Sequence, residues 1–238
     1  MQIFFSKSIF IPLLLTLFLG TTSSLKKLKK IDIATATYKT ACSLYDELEL
    51  FKIGLGRDIF DKAIAERNAL SKNQYIEKPN LLSIADLSQS SNAKRLYIID
   101  IENKKVLFNT YVAHGRNSGD EFAKSFSNNR NSYQSSLGFY LTTSTYQGAH
   151  GLSLKLKGAE KGINDIAEDR GIVVHGASYV SESFIHQFGR LGRSQGCPAV
   201  PEELCEPIVN SIKGGSCFFI FSPDKHYIKK SALYKASI

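Results

Sequence analysis

The chain has 238 residues, 43% of them hydrophobic and 22% charged, so a packed core is attainable and wholesale disorder is excluded. Seventeen Gly and six Pro exclude collagen-like or proline-rich architecture. Thirty Lys+Arg against 22 Asp+Glu give a net charge of +8, which suits an anionic partner of some kind or simply a soluble surface.

The N-terminus reads as an export signal over residues 1–24. Lys7 precedes the apolar run Ile9 to Leu19, and Gly20-Thr-Thr-Ser-Ser24 follows it. A cationic start, an apolar run within roughly 7–15 residues and small residues beyond it are the parts of a secretory signal. The run falls short of the roughly 20 residues that span a bilayer, and Pro12 interrupts it, which weighs against the alternative of an uncleaved anchor. Residues 25–79 follow as a helical extension. It opens on the basic patch Leu25-Lys-Lys-Leu-Lys-Lys30 and continues through Leu44, Tyr45, Leu48 and Phe51, then Ile59, Phe60, Ala63 and Ile64, at helical spacing. Gly54 and Gly56 divide it into a hairpin.

After Pro79 the pattern becomes strand-like. Strands are expected at 81–85, 95–101, 105–113, 137–143, 152–156, 171–174 and 217–221, with a turn at Glu102–Lys104 and a long polar loop over 115–136. A helix is expected between Pro201 and Lys213, its start delayed or kinked by Pro207. The fold class is therefore mainly β with a small helical N-terminal extension. The body is assigned to 80–225 and a C-terminal tail to 226–238.

Four cysteines are present: Cys42, Cys197, Cys205 and Cys217. Cys217 lies in Ser216-Cys-Phe-Phe-Ile-Phe221 and reads as core. If one of the four is a working thiol, the other three allow at most one intramolecular disulfide.

The chemistry concentrates in Val173-Val-His-Gly-Ala177 and Gly192-Arg-Ser-Gln-Gly-Cys-Pro-Ala-Val200. A histidine closing an apolar strand is held rigidly, and a Gly-Cys-Pro turn can expose a thiol because Gly196 permits unusual backbone and Pro198 fixes the next φ. An imidazole beside a thiol generates a nucleophile active near neutral pH, and amides at such a turn can hold an oxyanion. A buried Cys and a structural His remain the alternative for the pair taken alone. His175 precedes Cys197 by 22 residues, unlike the order in papain-like peptidases or the longer gap of caspases.

With these motifs in this order, the sequence resembles the L,D-transpeptidase catalytic domain (YkuD-like) family, and within it the murein L,D-transpeptidase branch. The resemblance rests on His175-Gly176, Ser194-Gln-Gly-Cys197, Val112-Ala-His-Gly-Arg-Asn-Ser-Gly119, Ser135-Ser-Leu-Gly-Phe-Tyr140, Arg170 to Ala177 and Gly189 to Ser194, and spans roughly residues 80–222. It implies a sandwich-like β domain, exported to the periplasm or cell envelope of a bacterium, whose cysteine attacks peptidoglycan stem peptides. Cys197 would take the acyl group from the L-centre of diaminopimelate, release D-Ala, and pass the acyl group to a second diaminopimelate amine as a 3→3 cross-link, or to water. His175 would be the base, and Ser194, Gly196 and the Cys197 amide would shape the oxyanion site. Gln195 stands where the family more often has a second His, and Ala199 where many members have Arg, so transfer and hydrolysis (carboxypeptidase or endopeptidase) both stay open.

The substrate-binding set comprises Gly176, His114, Arg116, Arg190 and Arg193. His114 and Arg116 suit a substrate carboxylate or cap a strand end; Arg190 and Arg193 flank the turn and suit anionic stem peptides, or are merely solvated. No cofactor is expected. His150, His175, His186, Cys197 and Cys205 cluster in sequence without a usual zinc spacing, so no metal is expected either. No nucleic-acid-binding motif is present. A non-catalytic wall-binding module is the rival class.

Overall fold

A computed structural model describes residues 44–72, 76–232 and 235, all within one unit spanning 38–238. The signal segment 1–24, the basic patch 25–30 and Cys42 lie outside the described residues. Eight strands, β1 (Leu81–Asp86), β2 (Leu96–Asp100), β3 (Lys105–Thr110), β4 (Gly138–Gly148), β5 (Gly151–Gly158), β6 (Val173–Gly176), β7 (Ala199–Val200) and β8 (Cys217–Phe221), form one sheet in the order β3-β2-β1-β8-β4-β5-β6-β7. Pairing is antiparallel except for β1 with β8 and β6 with β7. Just beyond β3, Ala113 bridges Ala199 of β7, so the two edges of the sheet meet and the expected sandwich is one continuous, barrel-like curl. Closure of this kind removes exposed edges.

The most apolar sequence runs occupy the middle of the sheet. Every residue of β1 and β8 is buried, which explains why neither shows a two-residue alternation: both faces are covered. Helix α1 (Arg57–Lys72) packs against these two strands through Phe60, Ala63 and Ile64. Ahead of it, a single 3₁₀ turn (Leu50–Ile53) shifts the register of the apolar positions. Leu50 is fully buried, while Phe51, expected inward, is 58% exposed. The cause is the tighter three-residue period, which no helical wheel anticipates.

Helix α2 (Glu182–Phe188) is capped by the Ser181 hydroxyl, which accepts from the Phe184 N–H. Helix α3 (Glu202–Ile212) packs against β5 and β6 with Cys205, Ile208, Val209 and Ile212 buried. Pro207 neither delays nor ends it; it lies in the interior, where the ring removes one helical donor. Burial of the four apolar side chains outweighs that loss, and the Ser211 hydroxyl donates to the Pro207 carbonyl at 2.8 Å. The two-residue β7 was too short to leave a strand pattern in the sequence.

The stretch read as a tail carries helix α4 (Lys225–Lys230) and is docked. Tyr227 is buried and donates through its hydroxyl to Glu160 Oε1 at 3.3 Å; Ser231 donates to Glu160 Oε2. Glu160 Oε1 also accepts the Phe139 N–H at 2.9 Å, tying the tail to β4. Among the described residues, no helix is long and apolar enough to cross a membrane. Because Tyr227 fills core volume and Glu160 depends on it, Tyr227→Ala should cost about 3–5 kcal/mol. Urea unfolding checks this; a loss below about 1 kcal/mol would mean the segment is only loosely attached.

Candidate active site

The parallel register of β6 and β7 sets the geometry. His175 pairs with Ala199 and Gly176 with Val200. Cys197 lies in the bend two residues ahead of β7, so this pairing brings the cysteine turn to the strand that carries His175. The Cys197 sulfur takes the Val173 N–H and lies 3.6 Å from the Gly171 carbonyl. Both Cys197 and His175 line one cleft of about 560 Å³.

The histidine ring is oriented by its own backbone. His175 Nδ1 lies 2.9 Å from the Gly176 carbonyl, which makes Nδ1 the protonated nitrogen and leaves Nε2 to act as base. His150, at the turn between β4 and β5, stacks on the His175 ring with centroids 4.7 Å apart. Burial is the main cause that lowers the His175 pKa, and the adjacent His150 adds to it. Burial likewise raises the Cys197 thiol, against the Val173 N–H and the charge of Arg170, which lower it. Both shifts favour a neutral thiol and a neutral imidazole in the free protein.

The turn bearing Cys197 is held from within. Ser194 Oγ accepts the Gly196 N–H at 3.0 Å and donates to the Cys197 carbonyl at 2.6 Å. Gly196 has φ 123°, and a Cβ there would lie 2.8 Å from the Gln134 carbonyl, so only glycine fits. Ser194 and Gly196, which the family resemblance implies at the oxyanion site, shape this turn. Among the described residues the Cys197 N–H has no acceptor, which leaves it as the donor an oxyanion would meet.

The expected substrate contacts divide. Arg116 and Arg193 line the cleft. Arg190 does not; its Nη1 donates to the Leu191 carbonyl. Gly176 is buried against α3, where a Cβ would lie 3.1 Å from Cys205 Cβ, so its contribution is close packing and the carbonyl that orients His175. His114 is 1% exposed and cannot meet a ligand. Its Nδ1 accepts from Arg95 Nη2 at 2.8 Å and its Nε2 faces the Gly119 carbonyl at 3.3 Å. Burial, then the charge of Arg95, push its pKa down to about 4.

Sequence reasoning missed two residues of this site. Arg170 opens the same motif as His175, yet only the fold reveals what its side chain does. Its Nη1 donates to the Ser127 carbonyl and Nη2 to the Gln134 carbonyl, at 2.7 and 2.6 Å, pinning the cleft wall. His150 had no signal beyond its residue type. His186 is exposed on α2 and does not line the cleft. Among the described residues, no three His, Cys, Asp or Glu side chains group as a metal site, and Cys197, Cys205 and Cys217 are free thiols.

The L,D-transpeptidase catalytic domain family matches residues 52–221. The chain belongs to that family. The match begins within the helical extension, ahead of the boundary drawn at residue 80. No curated protein matches the sequence. Solved structures similar to this family member include an L,D-transpeptidase from Mycobacterium smegmatis (11% identity, 60% of this chain and 59% of that one, TM-score 0.37). Another is an L,D-transpeptidase from Mycobacterium tuberculosis (15%, 60% and 58%, 0.35). A third is the helical cell shape determining protein Pgp2 from Campylobacter jejuni (12%, 77% and 61%, 0.42). The chain spans under two thirds of the length of each.

The buried His114 gives a pH test of this arrangement. Its pKa is about 4 in the folded protein against 6.5 in the unfolded chain, so its stabilisation is complete above pH 6.5 and is lost as pH falls from 6.5 to about 4. The loss should reach roughly 3 kcal/mol. Thermal midpoints across that range should fall for wild type and fall less for His114→Gln, which keeps an acceptor for Arg95 without titrating; parallel curves would assign the acid sensitivity elsewhere.

Proposed function

We propose that the protein is an exported cysteine L,D-transpeptidase that acts on peptidoglycan stem peptides through an acyl-enzyme on Cys197. The observation that carries this reading is that His175 and Cys197, brought close in the fold by the β6–β7 pairing, line the same arginine-lined cleft. Family membership supplies the reaction class.

In this reading the bound stem peptide presents the carbonyl at the L-centre of diaminopimelate to Cys197. His175 Nε2 takes the thiol proton as sulfur attacks, which suits a pair that rests neutral. The negative oxygen of the tetrahedral intermediate meets the Cys197 N–H. Collapse breaks the bond to D-Ala, whose amine takes the proton back from His175, and a thioester remains. A second diaminopimelate amine then attacks the thioester, gives its proton to Nε2, and restores the thiol with a 3→3 cross-link. Water in place of that amine would give hydrolysis.

Cys197→Ala should abolish turnover of purified peptidoglycan while the thermal midpoint stays near wild type. Incubation with a carbapenem should add one adduct to Cys197 by intact mass; a wild-type protein that gains none and yields no product is a wall-binding module. His175→Ala should lose roughly 10²–10⁴-fold in turnover and His186→Ala little. The alkylation rate of Cys197 should climb on the alkaline side of neutrality, because burial holds the thiol up. A plateau already reached in mild acid would instead signal a preformed thiolate–imidazolium pair.

A further inference from the structure

Among the described residues the cleft holds four arginines, and three are occupied. Arg130 pairs with Asp169 at 2.8 Å. Arg193 pairs with Asp120 at 2.7 Å and donates to the Gly119 carbonyl at 3.0 Å. Arg170 is directed into the wall, onto the Ser127 and Gln134 carbonyls. Arg116 differs. It is exposed at the cleft and, among the described residues, forms no ion pair.

Its guanidinium rests on the Tyr133 ring, 4.0 Å from the centroid. A stacked guanidinium keeps its N–H groups in the plane parallel to the ring, with edges pointing outward as a fork that fits a carboxylate through two hydrogen bonds. The platform is fixed with unusual firmness. Tyr133 has φ 55°, a conformation uncommon for a bulky residue, and its carbonyl accepts the Asn117 N–H at 3.1 Å. A Cβ on Gly115 would lie 2.5 Å from that same carbonyl, so the backbone beside Arg116 can approach only because residue 115 is glycine. Strained backbone held by surrounding bonds is a mark of ligand-contacting walls.

We infer that Arg116, seated on Tyr133, is a specificity residue that binds a free side carboxylate of the donor stem peptide, so that donors carrying this carboxylate are preferred over donors in which it is a carboxamide. The inference rests on the stem-peptide reading of the cleft given above. A carboxamide has one acceptor instead of two, lacks the charge, and turns N–H groups toward the guanidinium, so the fork loses half its bonds and its electrostatic attraction.

The test uses synthetic tetrapeptide donors that differ only in amidation: one with all side carboxylates free and others with each converted in turn to the carboxamide. Initial rates are followed by mass, and kcat/KM is compared. In wild type one amidation should lower kcat/KM by about 10–100-fold. Arg116→Gln should bring the free donor down to about the level of the amidated one, and amidation should then cost that variant nothing more. Arg116→Lys, charged but unable to form the fork, should keep only part of the preference. Tyr133→Leu should shrink it while Arg116 is still present. Because the readout is a ratio between donors, a uniform structural defect does not move it. Equal rates for all donors in wild type would overturn the inference while leaving the transpeptidase reading intact. So would an Arg116→Gln enzyme that still discriminates fully. A wild type that turns over none of the donors and takes no carbapenem adduct would overturn both.

Discussion

The site depends on one seam, where the backbone after β3 is sewn to the backbone before β7. Ser194 N–H donates to the His114 carbonyl, Arg116 N–H to the Ser194 carbonyl, and Ala113 N–H to the Ala199 carbonyl, at 2.8–2.9 Å. These bonds close the sheet and deliver the cysteine turn to the strand that bears His175. Behind them stands Arg95, completely buried, donating to the Val112 and Gln89 carbonyls and to His114 Nδ1. Burial pushes its pKa down to about 10, still far above neutrality, so a full cation sits beneath the seam and His114 must remain neutral to share the space.

That constraint orders the rest. Segment 113–119 cannot shift without moving the turn at 194–197, and the loop over 115–136 is in turn fastened to it. Ser135 Oγ accepts the Gly115 N–H, Ser118 Oγ accepts the Ser135 N–H, and Arg170 ties the loop's far limb to the segment that leads into β6. A polar loop of this length would ordinarily be mobile; here its hydrogen bonds make it a wall. The wall positions Tyr133 and Arg116 relative to Cys197, so the fixed geometry of the cysteine turn and that of the cationic rim have a common origin.

The chemistry at the centre is moderate by design. Neither partner is strongly ionised at rest, because burial penalises both thiolate and imidazolium. A thiol held neutral is less open to oxidation and stray alkylation than a thiolate, even where, as here, it is half-buried at a cleft. His150 over the His175 ring and the Gly176 carbonyl beneath Nδ1 confine the imidazole, so Nε2 stays available without a carboxylate partner.

Much of this was legible in the residues. The apolar runs at 81–86 and 217–221 determined buried central strands, since such runs have no other place to go, and the His-Gly and Ser-x-Gly-Cys motifs pointed to two residues that line one cleft, through the backbone freedom of Gly196 and the chemistry of a thiol near an imidazole. Local pattern also fixed the helix at 202–212, though not its tolerance of Pro207, which depends on what the helix covers. Only the tertiary structure decided which polar residues line the cleft. His114 and Arg116 are two apart in the same motif, yet one is enclosed between Arg95 and Gly119 and the other is stacked at the cleft. Strand-like alternation puts such neighbours on the same side only in a regular strand, and this segment bends at Gly115 to meet residue 194. The contacts of Arg170 and His150 were illegible for the same reason. Their partners lie far along the chain or across a hairpin, and sequence records what a residue can bond with, while the fold alone determines which bond it makes.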